Sequence, residues 1–377
     1  MRLAFCNSTR RWGGVKTWTI EFAAALRSRG HELFLYGRDP LFLSRARDKD
    51  LRAVGLNFGP DFNPFSIAFF LRAFRQNGIE AVLVNVGKEL RSAGSAARLL
   101  GLPLVQRVGL PGDLENSFSP RLAHRLLRPR YLCPCRHVRD GLLERLPFLD
   151  PEDVSVVYSA KEPLAQPPAS LGTPLRILSS SQVKANKGHA GVARVLAALR
   201  DKGFNFRWDV AGTGAALEDL RALCVALGLE SRVVFHGFLA DLAPLLRACD
   251  VFVLSSRQDQ EGLPNALLEA MAHGLVPVAH SVGGVSECWP PALSALLVAP
   301  SSASAEASGP PEELALFVPL RKVFSAAPEE ILQWKRLAWE HCSRNFSLAA
   351  QAQKLEAFFA DLLRKAPKDA PSSLGSA

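Results

Sequence analysis

Short apolar runs with the composition of β-strands alternate with stretches of helical spacing along most of the chain. In the first half, strands are expected at residues 3–7, 31–37, 81–87, 102–109 and 155–160. After a proline-rich segment at 161–175, a second series is expected at residues 176–183, 206–212, 232–237, 250–256 and 276–281. Because helices separate the strands, each series is expected to form a parallel sheet covered by helices.

The alternation therefore predicts an α/β protein with two Rossmann-like, doubly wound parallel-sheet domains. We expect a first domain at 1–165 and a second domain at 166–347, with a helix at 348–365 completing the first domain. Residues 300–311 read as a flexible surface loop, and the Pro-, Ser- and Ala-rich residues 366–377 read as a flexible tail. Two such domains would face each other across a central cleft, which is the expected ligand site.

Composition supports two buried cores and excludes several other classes of protein. The 377 residues are 48% hydrophobic, and no apolar run is long enough to span a membrane. The seven cysteines are dispersed without a CxxC pair, which indicates reduced thiols in a cytoplasmic protein. The eight histidines lack ligand spacing, and Asp48 and Asp50 lie in a charged run without a preceding strand, so we expect no metal site.

The excess positive charge lies entirely in the first half of the chain. Residues 1–165 contain 25 Lys and Arg against 16 Asp and Glu, whereas residues 166–377 contain 20 of each sign. This asymmetry predicts an anionic partner for the first half. The basic stretch 119–130 and the phenylalanine-rich stretch 61–76 would suit an anionic membrane surface. A solvated basic face with core-facing aromatic rings is the alternative, and nucleic acid fits less well because no nucleic-acid-binding motif occurs.

Two glutamates in the second half lie eight positions apart, in the segment EGLPNALLEAMAHG. Pro264 suits the first position of a helix, whose free N–H groups attract phosphate, and Gly274 suits its end. A carboxylate beside a phosphate needs another partner, and the vicinal hydroxyls of a sugar are suitable donors. We therefore expect Glu269 to meet a ribose and Glu261 to meet a second sugar. Solvated surface carboxylates are the alternative.

The segment 233–287 is similar to the nucleotide-binding half of the GT-B glycosyltransferases of family 4. These are retaining enzymes with an E-x7-E signature, which here is Glu261 and Glu269. The resemblance covers most of residues 176–290 and a Gly-Gly turn near the N-terminus. It implies that Glu269 binds the nucleotide ribose and that Glu261 lies near the donor sugar. The residues between them that are expected to line the donor site are Gly262, Leu263, Pro264 and Asn265.

Residues 181–189 resemble the family's R-x4-K-G segment, whose Arg and Lys bind the donor diphosphate. Lys187 and Gly188 match, but Gln182 occupies the arginine position, so half of the positive clamp is missing. Lys184 would not reproduce the planar fork of an arginine. At the end of a strand and before a helix, Lys187 is placed to stabilise a diphosphate leaving group. Gly212 and Gly214, in a strand-to-helix turn, either approach the ligand or serve only the turn.

In the first half, Gly13 and Gly14 open a helix after the first strand, so their amides could hold an anion. The resemblance implies that this loop faces the donor, with Lys16 and Arg11 as helpers. Family members often carry a histidine before glycine at the position of Val108. In its absence the acceptor-side candidates are Arg107 and Asp113.

These observations predict a hexosyltransferase-like, metal-independent glycosyltransferase with no cofactor, which acts with retention on a nucleoside diphosphate sugar. The expected acceptor is a glycan or glycolipid of cell-envelope polysaccharide or lipopolysaccharide synthesis. The expected location is cytoplasmic, with peripheral attachment to the inner face of the membrane. A non-catalytic nucleotide-sugar-binding protein and a sugar-nucleotide epimerase of the same fold are the alternatives. An NAD oxidoreductase is disfavoured because GTGAAL lacks the third glycine of G-x-G-x-x-G.

Overall fold

The computed structural model describes residues 1–10, 12–257, 261–302 and 309–365. The chain divides into two units, one of Met1–Ser159 with Leu348–Ala377 and one of Ala160–Ser347. The first boundary falls between Ser159 and Ala160, a few residues before the position expected from the sequence. The predicted tail 366–377 lies outside the described residues, as do residues 303–308 of the predicted loop.

The first unit is built on a parallel sheet of seven strands. These are β1 (Arg2–Asn7), β2 (Glu32–Gly37), β3 (Arg52–Gly55), β4 (Ala81–Val84), β5 (Leu104–Arg107), β6 (Arg130–Cys133) and β7 (Val154–Val156). Their order in the sheet is β3-β2-β1-β4-β5-β6-β7, and every neighbouring pair is parallel. The order reverses between β1 and β4, and this reversal is the topological switch point of the sheet.

Helices connect the strands of the first unit. They are α1 (Gly14–Ser28), α2 (Pro40–Arg47), α3 (Pro64–Gln76), α4 (Ser95–Leu99, after the helical turns Gly87–Glu89 and Leu90–Gly94), α5 (Phe118–Leu127) and α6 (Arg136–Arg145). A core of buried apolar side chains, which includes Tyr36, Phe58, Phe70 and Phe74, lies between the sheet and these helices. The aromatic rings pack edge-on or tilted, as in the Tyr36–Phe70 pair at 5.4 Å between ring centroids.

The second unit is built on a parallel sheet of six strands. These are β8 (Leu175–Ser180), β9 (Phe206–Ala211), β10 (Val233–Gly237), β11 (Val251–Leu254), β12 (Val276–His280) and β13 (Leu297–Val298). Their order is β10-β9-β8-β11-β12-β13, and all neighbouring pairs are parallel. The switch point of this sheet lies between β8 and β11.

Among the described residues, seven α-helices cover the second unit or follow it in the chain, and the last of them lies at the predicted positions 348–365. They are α7 (His189–Asp201), α8 (Leu217–Ala226), α9 (Ala243–Ala248), α10 (Asn265–Ala272), α11 (Phe317–Ser325), α12 (Pro328–Asn345) and α13 (Leu348–Lys365). The last of these, α13, belongs to the first unit. Phe359 of α13 is fully buried and stacks on Phe5 of β1, with 6.1 Å between their ring centroids.

The structure confirms the predicted fold class, with two parallel α/β sheets, and adds elements that the pattern did not indicate. Strand β3 is an edge strand whose residues are mostly exposed, so it carries no apolar run. Strand β6 is four residues long, and β13 has only two. An exposed edge strand such as β3 lacks an apolar run, and strands of two to four residues are too short to show a clear pattern.

A buried ion pair anchors the amino end of β11. Asp250 accepts a hydrogen bond from Lys335 of α12 at 2.9 Å, and both side chains are only 3% exposed. The same carboxylate accepts the backbone N–H groups of Gly172, in the linker, and Arg176, in β8. One side chain therefore fixes the start of β8, the start of β11 and helix α12 to one another.

Two further observations concern the cysteines and the length of the helices. All seven cysteines are buried free thiols. Within the described ranges, no helix combines the length and the apolar character that a membrane span requires.

Candidate functional site

The switch point of the second sheet brings the loops after β8 and β11 together. Lys187 lies in a short helical turn, Ala185–Lys187, that follows β8, and Glu261 lies in the loop that follows β11. The Lys187 ammonium forms an ion pair with the Glu261 carboxylate, and Ser256 donates a hydrogen bond to the same carboxylate oxygen at 2.7 Å. The side chains of Lys187 and Glu261 are 17% and 14% exposed, so both can be reached from solvent. Two residues predicted from separate motifs thus form one charged pair.

Glycine at position 188 allows the two loops to approach closely. Its φ is +72°, and a Cβ atom there would lie 2.1 Å from the carbonyl oxygen of Ser255. Ser255 in turn donates its hydroxyl to the Lys187 carbonyl at 2.7 Å, and the N–H of Arg257 donates to the Asn186 carbonyl at 3.0 Å. Lys187 is therefore held by backbone contacts on both sides, and only glycine fits at the next position.

The loop after β12 packs on the other side of the Glu261 segment. The N–H of Gly284 donates to the carbonyl of Gly262 at 2.9 Å. A Cβ atom on Gly283 would lie 1.9 Å from the carbonyl oxygen of Glu261. These contacts fix the backbone that carries Glu261 and leads into α10, with Leu263 and Pro264 buried and Asn265 partly buried.

Glu269 lies in α10 and pairs with a lysine that sequence reasoning did not identify. The Nζ atom of Lys161 lies 2.8 Å from Glu269 Oε1, and the Lys161 side chain is 4% exposed against 28% for Glu269. The partly exposed glutamate can meet a ligand while the buried ammonium holds its carboxylate in place. Lys161 occurs at the start of a proline-rich segment, where the sequence offered no motif.

The loop after β9 packs against the backbone of the loop after β8. Val183 donates its N–H to Thr213, and a Cβ atom on Gly212 or Gly214 would collide with the carbonyl oxygen of Ser181 or Val183, respectively. Gln182, at the position where an arginine was expected, is exposed. The two glycines therefore have a demonstrated packing role, while contact with a ligand stays a prediction.

Two buried histidines near the site are neutral at ordinary pH. Burial, aided by the charge of Lys187, lowers the pKa of His189 to about 4. Burial also lowers the pKa of His280, whose Nδ1 lies 3.3 Å from the Ser256 carbonyl oxygen. The two imidazoles therefore contribute no positive charge at this edge of the sheet.

The predicted residues of the first unit divide into exposed and buried ones. Gly13 and Gly14 are exposed at the start of α1, where backbone N–H groups are available. Lys16 is buried inside the unit, with its ammonium 2.5 Å from the Asp39 carboxylate. The Lys16 ammonium, which was expected to help bind a ligand, is therefore neutralised by Asp39. Arg11 lies outside the described residues.

The two acceptor-side candidates also have partners within the unit. Arg107 is 6% exposed and lies over the ring of Trp18, with 4.7 Å between the guanidinium carbon and the ring centroid. Burial lowers the pKa of Arg107 to about 10. Asp113 is exposed and accepts the N–H groups of Gly109 and Leu110, each at 2.9 Å. Both residues therefore contribute to the shape of the loop after β5.

A buried carboxylate that the sequence did not single out lies at the switch point of the first sheet. Glu89 is fully buried and accepts backbone N–H groups from Ser8, Asn85 and Val86. Burial raises the pKa of Glu89 to about 7, against the opposing effect of these donors. Glu89 thereby joins the loop after β1, which leads to Gly13, to the loop after β4.

Two family profiles match the chain, one in each half. The profile described as "Glycosyltransferase Family 4" matches residues 12–160, and the profile described as "Glycosyl transferases group 1" matches residues 174–309. Together they span most of the chain. The second match includes Lys187, Glu261 and Glu269, and the first includes Gly13 and Gly14.

Curated relatives and a solved structure extend these matches. The chain is 32% identical over 237 residues to WcaL of Escherichia coli, a glycosyltransferase proposed for colanic acid biosynthesis, and the match covers 59% of this chain and 56% of WcaL. It is 26% identical to the Vi polysaccharide biosynthesis protein VipC/TviE of Salmonella typhi, over 54% of this chain and 39% of that protein. The chain thus spans about half the length of these relatives or less. The fold matches Anabaena HepE, solved in complex with UDP, with a TM-score of 0.76, 18% identity and coverage of 96% and 100%.

Two glycine substitutions test whether the close packing of the loops beside Lys187 contributes to the free energy of unfolding. Gly188→Ala introduces both an unfavourable φ and a collision with Ser255, so we expect a fall of at least about 2 kcal/mol in the free energy of unfolding. Gly203→Ala is the matched control, because Gly203 has a φ of +88° and no atom within 4 Å of the added Cβ. Denaturant unfolding of both variants measures the difference. Equal losses in the two variants would show that the loop contact is unimportant.

Proposed function

Because the chain belongs to the GT-B glycosyltransferases of group 1 and family 4, we propose that it transfers a sugar from a nucleoside diphosphate sugar to an acceptor hydroxyl. The observation that carries this proposal is the Lys187–Glu261 ion pair beside the switch point of the second sheet, with Glu269 on helix α10 that follows the Glu261 segment. A cation for a diphosphate and two carboxylates for hydroxyl groups are the groups that such a donor requires.

The donor diphosphate is proposed to bind at Lys187 and the start of α10. Lys187 is paired with Glu261, so a diphosphate must compete for the ammonium. When Lys187 turns to the phosphates, Glu261 loses its cation and keeps the hydroxyl of Ser256. Its carboxylate then accepts hydroxyl groups of the donor sugar, which couples binding of the two parts of the donor.

The ribose is proposed to bind at Glu269. One oxygen of this carboxylate already accepts a hydrogen bond from Lys161, and the residue remains partly exposed. A vicinal diol can then donate to the carboxylate without forcing a bare charge into the protein. Lys161 is a positioning residue in this proposal, since its buried ammonium fixes the carboxylate of Glu269.

The proposed reaction proceeds with retention and without a covalent enzyme intermediate. The bond from the anomeric carbon to the diphosphate oxygen breaks as the bond to the acceptor oxygen forms on the same face. The acceptor proton passes to the departing phosphate, whose charge Lys187 and backbone N–H groups stabilise. The proposal invokes no metal or cofactor, because Lys187 supplies the electrophilic assistance.

The acceptor is proposed to be a glycan or glycolipid of cell-envelope polysaccharide or lipopolysaccharide synthesis. The name of VipC/TviE, a relative of this chain, assigns that protein to polysaccharide biosynthesis. In this proposal the first unit receives the acceptor. The positive charge of the first half then favours acceptors that are themselves anionic.

Peripheral attachment to an anionic membrane is proposed to use α5. Three apolar side chains of this helix are exposed, Phe118 at 78%, Leu122 at 40% and Leu126 at 53%. Arg121 and Arg125 are exposed on the same helix. An exposed apolar row accompanied by arginines suits the boundary between headgroups and acyl chains. In the phenylalanine-rich stretch Phe65 is also exposed, whereas Phe70 and Phe74 are buried in the core.

A non-catalytic nucleotide-sugar-binding protein is the second candidate. It is favoured by one observation, which is that an exposed glutamine stands where the resemblance implies an arginine at the diphosphate. Such a protein would bind the donor without releasing nucleotide.

Turnover separates the two candidates and tests Lys187. We expect purified protein, given a panel of UDP-, GDP- and ADP-sugars and a membrane extract, to release nucleotide only when acceptor is present. Lys187→Ala should lower kcat by about a hundredfold or more, because a group that stabilises the leaving charge is lost. Lys49→Ala, at an exposed position of the first unit, is the charge-matched control. Donor binding without any release would favour the second candidate, and a normal rate in Lys187→Ala would contradict the role of that residue.

Ribose recognition is tested by comparing each nucleoside diphosphate with its 2′-deoxy form by calorimetry. The chain should prefer the ribonucleotide, and Glu269→Gln should abolish the preference at a cost of about tenfold or more in affinity. Lys161→Met should weaken the preference, because the carboxylate of Glu269 loses the ammonium that holds it in place, while Lys161→Arg should restore it. Glu218→Gln, exposed on α8, is the control. A preference that survives Glu269→Gln would place the ribose elsewhere.

Vesicle flotation tests the membrane proposal. The protein should float with anionic vesicles at low salt and remain at the bottom of the gradient with neutral ones. Replacing Phe118 and Leu126 by Ser should lower the bound fraction about tenfold or more, because each apolar side chain loses its insertion energy. Val225→Ser, at a 58% exposed position on α8, is the control. Failure of the unaltered protein to float would reject this part of the proposal.

A further inference from the structure

A cavity of about 520 Å³ opens in the first unit where β2 and β3 end. Its walls include Arg10, which follows β1, Arg38 and Asp39, which follow β2, and Gly55 and Asn57 at and after the end of β3. The cavity is formed by residues of the first unit alone, whereas Lys187, Glu261 and Glu269 belong to the second unit. Its volume is in the range of sites that hold sugar-sized ligands.

The net charge of the cavity wall is positive. Asp39 is the acidic residue among the lining side chains, and Lys16 neutralises it through the buried ion pair at 2.5 Å. Arg10 and Arg38 therefore remain as charges that no neighbouring acid balances within the described residues. A concave surface with two such arginines attracts an anion.

Arg38 is incompletely satisfied by the protein. Its Nε atom is buried and has no hydrogen-bond partner among the described residues. An N–H group of a guanidinium that is shielded from water and lacks an acceptor is unfavourable, so an oxygen supplied by a ligand would stabilise it. The planar guanidinium matches the paired oxygens of a phosphate or carboxylate. Asn57 accepts the N–H of Gly59 with its Oδ1, which leaves its amide NH₂ as a further donor.

We propose that this cavity binds the anionic group of the acceptor, a phosphate or a carboxylate, through Arg38 and Arg10. That the ligand is the acceptor rests on the proposed transferase function, whereas anion binding itself rests only on the cavity and its arginines. The acceptor class is then an acidic glycan or a phosphate-bearing glycolipid, because both present oxygens in the geometry that an arginine recognises.

Calorimetry with two probes tests the proposal, using full-length protein that carries Lys187→Ala to remove the proposed diphosphate site of the second unit. The probes are inorganic pyrophosphate and glucuronate, each titrated to millimolar concentration. We expect one of them to bind, and Arg38→Met to weaken that probe about tenfold or more, because a charge-assisted hydrogen-bonding fork is lost. Arg38→Lys should recover only part of the affinity. Arg72→Met, at an exposed position of α3, should bind as the parent does.

The outcome also identifies the chemistry of the anion. Binding of pyrophosphate alone indicates a phosphate-bearing acceptor, and binding of glucuronate alone indicates a carboxylate-bearing one. Arg10→Met provides a second, exposed substitution should Arg38→Met fail to fold, and it should weaken the same probe. The proposal is overturned if neither probe binds or if both arginine variants bind like the parent. Failure of the transferase proposal would appear separately, as absence of acceptor-dependent nucleotide release.

Discussion

The parallel pairing of β8 with β11 is the constraint on which the site in the second unit depends. These strands are far apart in the sequence, yet Val251 pairs with Ile177 and Phe252 with Leu178 at the centre of the sheet. Asp250, just before β11, stabilises this register because it accepts hydrogen bonds from the N–H of Arg176 in β8 and from Lys335. Because the strands run in the same direction, their following loops emerge at one edge, and Lys187 meets Glu261 there.

Each of the two candidate carboxylates forms an ion pair with a lysine, which lowers the cost of partly burying its charge. Lys187 holds Glu261 and Lys161 holds Glu269, so neither acid is left as an uncompensated charge in a partly buried setting. The two pairs differ in exposure. Lys187 can be drawn away by an incoming anion, whereas Lys161 is almost fully buried and stays with its partner. The first pair is suited to exchange partners during binding, and the second to keep a carboxylate in place.

Much of the fold and part of the site could be predicted from the sequence, for reasons that individual residues make clear. Buried parallel strands such as β8 and β11 leave continuous apolar runs, and Lys187, Glu261 and Glu269 lie in segments whose spacing is local. The partners of these residues depend on tertiary contacts. Nothing near Lys161 in the sequence indicates that it reaches Glu269, and nothing near Lys16 indicates that Asp39 buries its charge. Glu89 is similarly inconspicuous, because its donors come from two separate loops.

The return of α13 to the first unit sets an order in which the chain can be completed. Residues Ala160–Ser347 form a continuous segment, so the second unit has its whole sequence available before α13 is synthesised. The first unit must wait for Leu348–Lys365, since Phe359 covers Phe5 and Glu356 accepts hydrogen bonds from Arg29 and His31. On the ribosome, the amino-terminal unit is therefore the last to acquire its full core, which reverses the usual progression from the first domain to the last.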